Sequence, residues 1–351
     1  VINTISLIVA IAIGVSAAAA GLGYWALVLM TIVSPPVNTI GCWLTTKWVP
    51  GRPQRGVGIR SMMRFGNTVT LNVLVYYFAS NFDKILLGRF WGAEALGVYG
   101  RAYQLISIPT DNLNSAAGEV AFPALSRLQD DPARLKSYFL KGYSLILAAT
   151  LPVTMVCAIF ADDVIIVLLG PQWVAVAPIF RLLSPTILVF AIVNPLGWFL
   201  TSAGLIRRSL AMAVVLAPFM ISAYVIGLRY GPTGVASAYS TIMLLWVVPA
   251  ITWAVRGTMI SSFDVFLAVS RPLASSIVAG GVAFGVRLAI GQLLPPLPRL
   301  VLESTVLMVV FAAMLLFVMG QKSLLLDLLR AWKIAPTVVH RGPTATGGAR
   351  L

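Results

Sequence analysis

Ser80-Asn81-Phe82-Asp83-Lys84-Ile85-Leu86-Leu87-Gly88-Arg89 sets an acid and a base side by side inside an apolar run. A turn follows, and then Gly92-Ala93-Glu94-Ala95-Leu96-Gly97-Val98-Tyr99-Gly100-Arg101-Ala102-Tyr103-Gln104-Leu105 opens a second run that carries Asp111 and Glu119. A charge at the centre of a bilayer costs about 2.5–3.5 kcal/mol on insertion scales, so where a membrane helix keeps one it tends to face a cavity and mark a pathway. The remainder of the chain reads as the membrane frame around this pair of helices.

Only 10% of the 351 residues are charged and 59% are hydrophobic, where a soluble domain has about 25% charged. Mean hydropathy is +0.93. Apolar runs of about 20 residues, enough to cross ~30 Å of hydrocarbon, recur from one end to the other. The expected fold is therefore all-α, a polytopic membrane bundle of about ten transmembrane helices. The strands of an outer-membrane barrel would instead alternate in polarity over about 10 residues. The net charge of +14 is no sign of nucleic acid, because Lys and Arg gather in every second short loop, as the positive-inside rule describes. Cys42 and Cys157 both fall in apolar segments and are expected as free, buried thiols. The one histidine, His340, lies in the polar tail, which argues against a His-based metal site or general base. Neither a cofactor nor a metal is implied.

In chain order, residues 2–20 and 24–46 form a first hairpin around Gly21-Leu22-Gly23. Pro35-Pro36 falls inside its second helix and is expected to kink or interrupt it. Residues 47–64 hold Lys47, Arg52, Arg55, Arg60 and Arg64 without an acid, and read as a cytoplasmic loop. The span 65–88 runs outward, 89–100 turns outside, and 101–125 returns. On that returning span Asp111, Ser115 and Glu119 are spaced i, i+4, i+8 and share one helix face, bracketed by Pro109 and Pro123. Residues 126–141 are a second basic loop. Asp162-Asp163 and Gly170-Pro171 are external, and the span 174–200 is interrupted by Pro178, Pro185 and Asn194-Pro195. Arg207-Arg208 is a third inward loop. Two further hairpins turn at Gly231-Pro232-Thr233-Gly234 and at Leu294-Pro295-Pro296-Leu297-Pro298, with Arg256 and Arg271 between them. Residues 321–351 are a basic, Gly- and Thr-rich tail, expected to be cytoplasmic and largely disordered. No charged region or cleavage motif precedes the first apolar run, which argues against a signal peptide. Trp25, Trp48, Trp91, Trp173 and Trp332 near helix ends fit interfacial belts.

The segments Asn81–Arg89 and Gly92–Leu105, together with Ala121-Phe122-Pro123-Ala124-Leu125-Ser126-Arg127-Leu128-Gln129-Asp130-Asp131 and Gly170-Pro171-Gln172-Trp173, resemble the polysaccharide-transporter family. These are the Wzx-type oligosaccharide flippases of the multidrug/oligosaccharidyl-lipid/polysaccharide exporter superfamily, and the likeness runs to about residue 320. Family members have two six-helix lobes around a central cavity. By resemblance, residues 1–46 are the last two helices of a first lobe, with about four helices missing before them. Residues 65–255 are then the second lobe and 256–320 an additional helix pair. The paired Gly turns before residues 24 and 235 would end equivalent hairpins of the two lobes.

The activity implied is movement of a polyprenyl-diphosphate-linked oligosaccharide across the bacterial inner membrane by alternating access, with the lipid bilayer as host and a polysaccharide polymerase and chain-length machinery as partners. Lys84 and Arg89 are the candidates to meet the diphosphate, and Asp83 beside them counts among the substrate-binding candidates. Against this, Lys84 can pair with Asp83 or reach to the interface, and Arg101 can be an interfacial anchor. Asp111 and Glu119 are candidates to line the cavity and bind sugar hydroxyls, a proton or a cation. The other reading is a polar network with Asn112, Asn114 or Ser115 that packs helices. Asn72 and Asn81 fit a sugar contact or a helix–helix hydrogen bond equally well. Three alternatives stand beside this reading: a cation-coupled drug exporter of the superfamily that the resemblance implies, a membrane-embedded polymerase or ligase, and a truncated fragment without transport. The short external loops argue against an enzyme.

Overall fold

The computed structural model describes residues 2–46, 60–128, 131–290 and 293–318. Residues 47–59 of the expected basic loop and the tail from 319 fall outside these. Among the described residues there is no strand, and the chain divides into two compact units at residues 61/62.

The first unit is a hairpin of α1 (Ile2–Ala19) and α2 (Trp25–Thr46). Gly21 ends α1 at φ 80°, with its amide bonded to the Ala18 carbonyl and the Leu22 amide bonded to the Ala17 carbonyl. That is a Schellman closure, which needs a left-handed residue and so selects glycine. The Ser6 hydroxyl donates to the Ser34 carbonyl at 2.7 Å, and Asn38 donates to Asn3. Gly41 brings α2 so close to Ile2 that a Cβ there would lie 2.7 Å from the Ile2 methyl. Small residues and side-chain hydrogen bonds of this sort hold helices together where lipid removes the hydrophobic drive. α2 runs through Pro35 and Pro36 without the expected interruption. Cys42 is exposed, against expectation, while Cys157 is buried as expected, and both thiols are free.

The second unit begins with α3 (Arg60–Phe90) and α4 (Gly92–Arg127). Trp91 alone links them, and Gly92 makes the reversal at φ 83°. The expected loop at 89–100 is thus mostly the first turns of α4. Its neighbour at 126–141 is also mostly helix. α4 reaches Arg127, and α5 (Pro132–Ile159) starts at once because the Asp131 side chain caps the Arg134 amide and Pro132 takes the first helical position. Polar helix ends simply continue past the apolar zone. Arg60–Arg64 likewise belong to α3 rather than to a loop. Asp162 and Asp163 lie in a short helix, α6 (Ala161–Leu169), not in an open turn. The stretch after Gly170 breaks into a 3-10 turn (Pro171–Val176), α7 (Ala177–Leu183) and α8 (Pro185–Ser202). Then come α9 (Ile206–Gly227), α10 (Gly231–Val255), α11 (Ser262–Ile290) and α12 (Pro296–Ala313).

The main core gathers Leu87, Tyr99, Leu147, Phe180, Phe199 and Tyr224 with their neighbours from α3 to α11, where Val265 and Val269 join it. A smaller cluster of Phe160, Ala279, Ala283 and Leu307 joins α11 and α12 to the end of α5. At the α9–α10 turn a Cβ on Gly234 would lie 2.2 Å from the Gly227 carbonyl, so the two backbones touch. The outer surface carries exposed Val73, Leu245, Phe284 and Val309. Seven described segments are long and apolar enough to cross a membrane, and one of them, Ile206–Val255, holds both α9 and α10. α3 and α4 are long enough to cross as well, and they are more polar, with Asp83 and Lys84 in α3 and Glu94, Arg101 and Asp111 in α4. This is an all-α, multi-pass membrane protein whose two most polar helices are packed together.

Candidate functional site

The site grows from one face of α3. Asn72, Tyr76, Ser80 and Lys84 recur every fourth residue, which stacks them along a single stripe. The first three line a cleft of about 580 Å³ bounded by α3, α8, α9 and α10. Asn72 Nδ2 donates to Ser209 Oγ of α9 at 3.1 Å and so closes one wall. Across from it stand Asn194, Trp198 and Thr201 of α8 and Trp246 of α10. No lining residue is charged.

Lys84 lies one turn further along the stripe, about 6 Å on at 1.5 Å per residue. Its ammonium donates to Asn81 Oδ1 at 2.8 Å and sits 4.6 Å above the Tyr103 ring of α4. Asn81 is itself fixed by a 2.8 Å bond from Nδ2 to the Tyr77 carbonyl. An amide and an aromatic face therefore aim the cation without neutralising it. Asp83 points elsewhere. It is fully buried, accepts from the Tyr99 hydroxyl at 2.6 Å and from the Lys84 backbone amide at 2.7 Å, and is not among the ion-paired acids of the described residues. Successive helical positions lie about 100° apart, which separates the two neighbours' side chains. Tyr99 and Tyr103 stack at 6.4 Å, so the partners of Asp83 and of Lys84 share one aromatic wall.

Arg89 is exposed in the last turn of α3, a favourable place for a cation near a helix C-terminus, and forms no hydrogen bond or ion pair among the described residues. Asp111 and Ser115 are both exposed on α4, as their common face requires. The Glu119 and Asn114 side chains lie outside the description. Asn112 and Ser115 bond to carbonyls of their own helix. Arg101 sits 5.6 Å over the Trp173 ring and donates to Gln104. Trp91 donates to the Leu228 carbonyl at 2.8 Å, tying the α3–α4 link to the α9–α10 turn.

A family model described as "Polysaccharide biosynthesis protein" matches residues 1–178, which include α3, α4 and this whole Asp83–Lys84 region. The chain belongs to that family. Among curated relatives, the Teichuronic acid biosynthesis protein TuaB of Bacillus subtilis (strain 168) is 27% identical over 252 residues, 69% of this chain and 50% of the relative. The Lipopolysaccharide biosynthesis protein WzxC of Escherichia coli (strain K12) is 25% identical over 229 residues, 63% of this chain and 46% of the relative. The Succinoglycan biosynthesis transport protein ExoT of Rhizobium meliloti (strain 1021) is 23% identical over 172 residues, 49% of this chain and 35% of the relative. The chain spans about half the length of the first two of these relatives.

For a member of this family the sequence-predicted residues divide by geometry. Asp83, Lys84 and Asn81 come together with Tyr99 and Tyr103. Asn72 belongs to the cleft, while Arg89 and Asp111 take no part in either set of hydrogen bonds. The cleft residues Trp198 and Ser209 are not among the sequence-predicted ones, and Asn194 is there only as part of an interruption at Asn194-Pro195; the i, i+4 spacing of Asn194 and Trp198 on α8 is the signal that could find that pair. A second charged group gathers around the Asp162-Asp163 pair. Asp163 is fully buried beneath Arg287, at 3.2 Å, and Arg299, whose Nε lies at 3.1 Å. Arg181 pairs with Asp162, and buried Glu303 lies 3.8 Å from Arg287. Three acids and three arginines thereby clamp α6 and α7 to α11 and α12.

Proposed function

We propose that this chain serves a lipid-linked oligosaccharide flippase, which moves polyprenyl-diphosphate-linked glycan repeat units across the bacterial cytoplasmic (inner) membrane by alternating access. The product feeds O-antigen, capsule or exopolysaccharide synthesis. The observation that carries this reading is Lys84. It is a cation inside a membrane helix, held by neutral groups one helical turn beyond an uncharged cleft. A fixed, un-neutralised cation suits a phosphate that comes and goes. Family membership and the names of the relatives, which speak of polysaccharide biosynthesis and transport, support the same reading.

Diphosphate contact falls to Lys84, with Arg89 as a second cation nearer the helix end. Asn81 holds Lys84 in place. Asp83 keeps α3 and α4 together through Tyr99. Asp111, and Glu119 on the same face, meet sugar hydroxyls or a coupling cation. The polyprenyl tail stays in the bilayer, and polymerase and chain-length proteins take the delivered repeat. Transport rather than catalysis fits the short connections. From α3 onward the described links are one to six residues, the longest being 256–261, which leaves little loop to present catalytic groups.

The test replaces Lys84 by Ala in the protein as the cell makes it. Surface polysaccharide should fall and lipid-linked repeat units should build up on the cytoplasmic side, at normal protein abundance. Normal export by the variant would end this assignment, and lost abundance would make Lys84 structural.

A further inference from the structure

The uncharged cleft beside Lys84 has a chemistry of its own. About 580 Å³ falls in the range of ligand clefts, roughly 300–1,000 Å³. Its walls set aromatic rings, amides and hydroxyls among aliphatic side chains such as Leu196, Met212 and Leu216. Trp198 and Trp246 offer two indoles, and Asn72 and Ser209 already satisfy one another. Asn194 does not follow that pattern. It lines the cleft, and its side chain makes no hydrogen bond among the described residues. Asn194 and Trp198 are i, i+4 on α8, so the amide and the indole stand on one face with Gly197 leaving room between them. Trp198 is braced from behind by the bare backbone of Gly118, where a Cβ would lie 3.3 Å from the ring.

We propose that this cleft is a binding subsite for an uncharged pyranose of the transported glycan, with Trp198 as the stacking platform and Asn194 as the hydrogen-bonding group. The inference rests on the transport reading above and adds to it where along α3 the sugar lies. A pyranose presents a face of C–H groups to an aromatic ring and a rim of hydroxyls to amides, which is the pairing these walls offer. An alkyl tail would bury the Asn194 carboxamide against hydrocarbon without a partner, an unfavourable arrangement. A diphosphate or uronate finds no counter-charge here, and Lys84 one turn away is the place for it. The stripe Asn72, Tyr76, Ser80, Lys84 then reads as sugar first and phosphate last along one helix.

The experiment uses the protein in lipid nanodiscs. Binding of cellobiose, lactose and maltose is followed by saturation-transfer NMR, with glucuronate and inorganic pyrophosphate as charged probes. At least one neutral disaccharide should bind, and neither charged probe should displace it. Asn194→Leu and the cleft-filling Ala213→Phe should each weaken that binding at least tenfold while leaving thermal unfolding unchanged. Failure of all three sugars to bind, or equal binding by both folded variants, overturns the proposal. So does displacement by pyrophosphate. Surface polysaccharide from a strain lacking the gene separates the two readings. Unchanged production would sink the transport reading and leave the binding result standing. Lost production, restored fully by a cleft variant of normal abundance, would sink the cleft alone.

Discussion

The Tyr99 hydroxyl of α4 donates to the Asp83 carboxyl of α3 across 2.6 Å, in a position from which solvent is fully excluded. That length lies in the range of a hydrogen bond strengthened by charge on the acceptor. The bond fixes the two most polar helices at the point where Lys84 leaves α3, so the cation's direction depends on a contact it does not make itself.

Tyr99→Phe should therefore act at a distance. It keeps the ring and removes the donor, leaving the buried Asp83 carboxyl with the Lys84 amide as its remaining partner. The expected loss is about 1–3 kcal/mol, read as a lower unfolding temperature in detergent. Asp83→Leu combined with Tyr99→Phe removes both polar partners and should recover part of that loss. A double variant no better than the sum of the single ones would show that the bond does not couple the helices.

The charged clamp on α6 makes a stronger prediction. Asp163 is fully buried and meets Arg287 and Arg299 from two different helices. Removing one partner of a buried pair costs roughly 3–5 kcal/mol; Arg287 and Arg299 keep 21% side-chain exposure, and solvent there offsets part of that loss. Asp163→Ala should thus free α11 and α12, and protease should cut the 256–261 link in the variant and spare the parent protein. Equal resistance to cleavage would mean that the apolar contacts of Phe160, Ala279 and Leu307 hold the pair by themselves.

The α9–α10 turn tests packing without charge. A Cβ on Gly234 would stand 2.2 Å from the Gly227 carbonyl oxygen, and backbone cannot step aside as a flexible side chain can. Gly234→Ala should part the two helices and lower membrane abundance severalfold, measured by fluorescence-detected chromatography. Gly285→Ala, with open space around its Cβ position, is the matched control and should change little. Similar abundance for the two variants would remove close approach as the reason for glycine at 234.

The helical membrane frame was legible because apolar length depends on composition alone. Residues 2–19, 25–46 and 206–255 announce themselves this way. Helix ends were not legible. Arg127 and Pro132 lie in helices that outrun the apolar zone, and charge density alone made 126–141 look like a loop. The Asp131 cap and the proline behind it carried the true boundary. The pairing of Asp83 with Tyr99, 16 residues on, and of Asp163 with Arg299, 136 residues on, depends on how helices pack. Local periodicity holds no such information. Asp83 and Lys84 stood out because charges in an apolar run are costly, whereas Asn194 and Trp198 did not, because uncharged polar and aromatic residues are common in packed membrane helices.

Asn81 gives the last test, since it separates positioning from contact. Its carboxamide takes one bond from Lys84 at 2.8 Å and gives one to the Tyr77 carbonyl, so both of its ends are spoken for by the protein. Asn81→Leu removes the acceptor and leaves the cation over Tyr103 alone. Polysaccharide output should fall by about the worth of one hydrogen bond to a charged group, roughly 1.5–3 kcal/mol or 10- to 150-fold in rate. Asn81→Asp keeps an acceptor but adds a negative charge beside the ammonium. If Lys84 serves by staying un-neutralised, that variant should be as poor as Asn81→Leu although Lys84 is held at least as firmly. Export by Asn81→Asp at the parental level would mean that a fixed position suffices, and that the free charge on Lys84 is not what the substrate meets.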